Sequence, residues 1–165
     1  TFIGGTKFRR GQPEDVALFG EALGNEVVRV AQEATDPLTP KLGGWALTVD
    51  LPFMRLDDGS LPNPTTCPLT IQRLDIVEQV SLIALGGEAC CDYGLFIKRL
   101  GAEQGRTLIP LGYCNGLVGY LCPARYFSEG GYEPTTSFRF FGLPAPFAPE
   151  IEGIICEAIR KLVAF

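Results

Sequence analysis

Glu88 and Tyr120 are the side chains whose setting most suggests chemistry, because each lies among glycines just beyond an apolar run. A carboxylate after Gly86-Gly87 can ligate a metal, serve as a general base, or cap a following helix. On spacing alone, capping is the stronger reading. Tyr120 follows a loop crowded with glycine, which lets backbone approach a ligand closely. Its phenol can donate to an oxyanion or, once deprotonated, bind a hard metal. Tyr113, Tyr126 and Tyr132 flank it in the chain, so a rim of structural tyrosines is the competing reading.

The six cysteines, at 67, 90, 91, 114, 122 and 156, are irregularly spaced and include no C-x-x-C pair. They read as buried, reduced thiols rather than as a disulfide framework. Cys90, Cys91, Cys114 and Cys122 are expected near the same edge as Glu88 and Tyr120, where their spacing gives only weak support to a soft-metal or redox site. There is no histidine and no G-x-S-x-G elbow. Thr1 supplies a separate candidate nucleophile, with its α-amine as base, if the chain arises by self-cleavage.

The elements that must position these residues are legible in outline. Val16, Gly20, Leu23, Val27, Val30 and Ala34 recur at helical spacing behind Pro13, predicting an amphipathic helix that ends near Asp36-Pro37. Trp45, Leu47, Val49 and Leu51 alternate with small or polar residues as in a half-buried strand. Residues 57–68 read as a long surface loop. Runs at 69–76 and 80–85 form a hairpin across residues 77–79, and a short helix carrying Tyr93, Phe96, Ile97 and Leu100 ends at Gly101. A further strand at 108–111 empties into a glycine-rich loop. A long Pro-rich connection then leads to a last amphipathic helix from Ile151 to Leu162. The fold class is α/β or α+β, with a mixed β-sheet flanked by helices. Ligands gather beyond the carboxyl ends of strands in such sheets, so the loops around Glu88 and Tyr120 should be neighbours.

With 165 residues, 46% of them hydrophobic, one core is the expectation. Fourteen Lys and Arg against 19 Asp and Glu leave a net charge of −5 with no basic stripe, which argues against nucleic acid as a partner. No apolar run approaches the roughly 20 residues that span a bilayer.

Three motifs in order carry a resemblance: Leu85-Gly86-Gly87-Glu88, then residues 112–120 with Asn115 and Tyr120, then Glu129-Gly130-Gly131-Tyr132-Glu133. Together they resemble the C-terminal part of the catalytic domain of the neutral, non-lysosomal ceramidases. The resemblance implies a zinc site in which Glu88 and Tyr120 are metal ligands, with Tyr120 at the catalytic centre. It also implies two histidines from an N-terminal segment or partner chain. The implied activity is zinc-dependent hydrolysis of an N-acyl bond in an amide or ceramide-like lipid, in a secreted or periplasmic setting. On this reading residues 1–165 are a single segment of a larger catalytic domain, without the immunoglobulin-like domain that follows it in relatives. The alternatives are a non-catalytic subunit that keeps the fold, and the Thr1 hydrolase.

Overall fold

A computed structural model of the chain describes residues 11–34 and 37–164. The chain divides into two compact units, Thr1–Pro37 and Leu38–Phe165. The first contains helix α1, Pro13–Glu33. Pro13 occupies its first position, and the Gln12 N–H donates to the Asp15 carboxylate at 2.7 Å, satisfying an otherwise orphaned terminal group. Arg29 pairs with Glu26 and Glu33 one turn away on either side. Ala34 turns extended and ends the helix ahead of the expected Asp36, which lies outside the described residues.

The second unit has an α/β fold. Strands β1 (Pro40–Pro52), β2 (Thr66–Val77) and β3 (Val80–Leu85) form an antiparallel meander. Next come a two-residue strand β4 (Glu88–Ala89), helix α2 (Cys91–Glu103) and strand β5 (Thr107–Leu111). β5 pairs with β3 in parallel, so the sheet is mixed, in the order β1-β2-β3-β5. A second short strand, β6 (Tyr120–Leu121), pairs with β4 away from the main sheet. Helices α3 (Ala124–Glu129) and α4 (Tyr132–Thr135) and a 3-10 turn at Ser137–Arg139 precede α5 (Ile151–Val163).

The expected hairpin and the β-α unit are present, with differences of extent, α2 running on to Glu103 rather than ending at Gly101. β2 begins at Thr66 because Cys67 pairs with Leu51 and Pro68 with Asp50, so residues 66–68 belong to the sheet and not to the loop. The connection read as one long loop after residue 111 holds three helical segments of six, four and three residues, too short to show a helical period.

Alternate residues of β2 (Leu69, Ile71, Arg73, Asp75 and Val77) point inward. Leu69 and Ile71 join Leu51, Ile83, Leu85, Ile97, Ile155 and Ile159 in a core shared with α2 and α5. The charged members are fully engaged. Arg73 donates to Asp75 at 2.7 and 2.9 Å and to the Leu162 and Val163 carbonyls at 3.1 and 3.4 Å, capping the C-terminal end of α5 while stacking on Trp45. Ser81 and Arg106 donate to the same Asp75 oxygen, at 2.5 and 3.3 Å. Burial opposes ionisation of Asp75, but hydrogen bonds from Arg73 and Ser81 and the charges of Arg73 and Arg106 outweigh it, holding its carboxyl below the usual range.

The opposite face of the sheet is more open. Leu74 on β2 pairs with Leu82 on β3, and Leu82 with Ile109 on β5, forming an apolar row across three strands. Leu74 remains 42% exposed and Ile109 39%. Parallel strands of α/β proteins ordinarily have both faces covered.

Candidate functional site

The site grows from the end of β3. Past Leu85 the Gly86 N–H still donates to Thr70, and Gly87 then lets the chain leave the sheet. β4 and β6 run parallel with Glu88 opposite Tyr120 and Ala89 opposite Leu121. Their pairing is stitched by Glu88 N–H to the Gly119 carbonyl at 2.8 Å, Cys90 N–H to Leu121 at 3.2 Å and Val118 N–H to Gly86 at 3.0 Å. On the other side, the N–H groups of Tyr113 and Cys114 donate to the Gly87 and Leu85 carbonyls, both at 3.0 Å. Residues 85–90 are thus held between two stretches of the glycine-rich loop.

Glycine is required in this arrangement. A Cβ on Gly87 would lie 2.9 Å from Leu121 Cγ and 3.0 Å from the Gly119 oxygen, and Gly119 itself has φ of +129°. Tyr113 and Asn115 also adopt left-handed backbone, with φ of +57° and +60°. Asparagine tolerates that region, while tyrosine does so at a cost of about 1–3 kcal/mol. The Asn115 amide donates to Gln72 Oε1 at 2.5 Å, anchoring the turn to β2.

This turn brings Tyr113 to the same carboxylate as Tyr120. Hydrogen bonding to Glu88 is the chief reason that the Tyr120 phenol is pushed up to about 12, and it raises Tyr113 as well. At neutral pH both phenols are therefore protonated. The capping role read from spacing is not realised: α2 starts at Cys91 with Cys90 as its N-cap residue, and Glu88 belongs to β4, opposite Tyr120 of β6.

Tyr120 is flanked edge-on by Tyr132 and Phe141, each 6.0 Å away between ring centroids. Glu133 adds negative charge nearby, a smaller contribution to the raised Tyr120 value. Tyr126 belongs elsewhere, its hydroxyl donating to Asp92 at 3.0 Å alongside Arg125. Sequence reasoning grouped Tyr113 with the structural rim and gave no role to Glu133; their inclusion in motifs with Asn115 and Gly130-Gly131 was the available signal. A cavity of about 10 Å³ beside Tyr120, lined by Glu133, Phe138, Phe141 and Leu143 among others, has room for roughly one water and not for an acyl chain.

The thiols are less uniformly buried than expected. Cys122 is buried and Cys91 exposed, with the other four between, and all six are free. Cys90 and Cys122 approach to 3.8 Å between sulfurs, whereas Cys91 faces Asp92 and Cys114 donates to the Gly112 carbonyl. Thr1 lies outside the described residues.

No group of three or more His, Cys, Asp or Glu side chains able to hold a metal occurs among the described residues. Glu88 and Tyr120 are two oxygen donors on paired strands, fitting part of a zinc donor set; catalytic zinc sites ordinarily take three protein ligands and an open position. No helix among the described residues is long and apolar enough to cross a membrane.

No protein-family model matches the chain, and no curated protein matches it in sequence. In structure it is similar to neutral ceramidase from Pseudomonas aeruginosa, with a TM-score of 0.59 and 11% identity over 96% of this chain. The chain spans about a third of that ceramidase chain, 34%. The likeness is one of fold, distant in sequence.

Proposed function

We propose that this chain contributes Glu88 and Tyr120 to a zinc-dependent amide hydrolase whose substrate class is N-acyl lipids of the ceramide type. The observation that carries the reading is the direct pairing of Glu88 with Tyr120 across β4 and β6, at a loop edge of an α/β unit with a neutral ceramidase-like fold. The lack of histidine in the sequence adds a requirement: further ligands come from another segment or a partner chain. The open apolar row through Leu74, Leu82 and Ile109 supports such a partner, since covering it removes apolar surface from water.

Glu88 and Tyr120 would hold zinc, which when bound supplies an activated water and polarises the amide carbonyl. The chain's own groups set the stage. The backbone ladder fixes the distance between the strands that carry Glu88 and Tyr120. The rings of Tyr132 and Phe141 restrict where the Tyr120 phenol can swing.

The test is hydrolysis of an N-acyl sphingoid base by the protein together with its histidine-bearing segment. Glu88→Gln and Tyr120→Phe should each lower kcat by about 10²-fold or more. A second reading, a non-catalytic subunit, is favoured by the incomplete donor set. It predicts activity unchanged in both variants and only small changes in stability.

A further inference from the structure

We propose that Cys90 and Cys122 form a disulfide that fastens β4 to β6, two residues along from Glu88 and Tyr120. The inference stands whether or not the hydrolase reading holds, because it rests only on the ladder. The two cysteines lie one step beyond the Ala89–Leu121 pair, and the Cys90 N–H still donates to the Leu121 carbonyl at 3.2 Å. Neighbouring positions on adjacent strands are about 4.8 Å apart. That separation falls within the roughly 4.4–6.8 Å between Cα atoms that a disulfide spans. The sulfurs, at 3.8 Å, are already in contact. The competing thiols are occupied otherwise, Cys91 with Asp92 and Cys114 with the Gly112 carbonyl.

Burial assigns the order of events. Cys90 is half-exposed and Cys122 only 1% exposed, so an external oxidant meets Cys90 first. With a low-molecular-weight disulfide as oxidant, the Cys90 sulfur, having given up its proton, attacks one reagent sulfur and releases one thiol, leaving a mixed disulfide. Cys122, losing its proton in turn, attacks the Cys90 sulfur and releases the second thiol. Two protein thiols are oxidised, the reagent disulfide is reduced to two thiols, and the two protons end on those products. The bond closes a chain segment 32 residues in span and holds the register of Glu88 against Tyr120.

The experiment treats the full chain with glutathione disulfide, then maps peptides without reduction and follows thermal unfolding. The expected result is a Cys90–Cys122 cross-linked peptide as the main product, with Tm raised by several degrees over the reduced protein. Cys91→Ser should leave both unchanged. Cys122→Ala should leave Cys90 as a stable glutathione adduct with no gain in Tm. Cys90→Ala, at the more exposed partner, gives the control should the Cys122 variant fold poorly, and it should abolish the cross-link. Linkage of Cys90 to Cys91 or Cys114, a persistent glutathione adduct in the unmodified sequence, or an unchanged Tm would overturn the proposal.

Discussion

The Glu88 carboxylate raises the phenols of both Tyr113 and Tyr120, the latter to about 12. Because a negatively charged acceptor keeps the phenol protonated, Glu88→Gln should move Tyr120 down from about 12 toward the ordinary tyrosine value, read as an earlier step in an alkaline absorbance titration. Tyr113→Phe should lower that step only slightly, because the Tyr113 charge is one of its smaller causes. Glu88 and Tyr120 could be picked out from the sequence because glycines at strand ends mark places where backbone comes close. For Tyr113 only its place in the motif with Asn115 was legible, since its position depends on left-handed backbone at 113 and 115, which side-chain spacing does not encode. The capping reading of Glu88 failed for a related reason: Glu88 continues as a strand paired to β6, and the helix begins only at Cys91.

The strands and the three longer helices were legible because each repeats its apolar period several times, as in Ile151, Ile155, Ile159 and Leu162 of α5. β4 and β6 were not, since two residues carry no period and their pairing joins positions more than thirty residues apart. Gly87→Ala tests that ladder: the added carbon meets Leu121 and the Gly119 oxygen, so the variant should lose about 1–3 kcal/mol in denaturant unfolding. At the far end of the sheet, Asp75 faces Arg73 of its own strand, Ser81 of β3 and Arg106 ahead of β5. Its carboxyl is lower in the folded protein than the roughly 3.9 of an unfolded chain. Its contribution to stability is therefore complete above that value and is lost as pH falls through the folded one. Unfolding free energy should drop across this acid range, and Asp75→Asn should flatten the drop. Asp75→Ala, which strands Arg73 in the interior, should cost about 3–5 kcal/mol at neutral pH.

For the whole molecule, the mixed α/β sheet followed from the order of apolar runs, whereas the partly exposed apolar row on one face of that sheet emerges only once Leu74, Leu82 and Ile109 are seen in register. On the proposed reading, that row and the Glu88–Tyr120 pair call for a partner segment that covers apolar surface and supplies nitrogen ligands. Native mass spectrometry of the protein with its associated chains, comparing the unmodified sequence with Glu88→Gln, tests this most directly. The account predicts an assembly containing a histidine-bearing segment and bound zinc, with the zinc lost in the variant. A stable, metal-free monomer, or zinc retained equally by both forms, would contradict it.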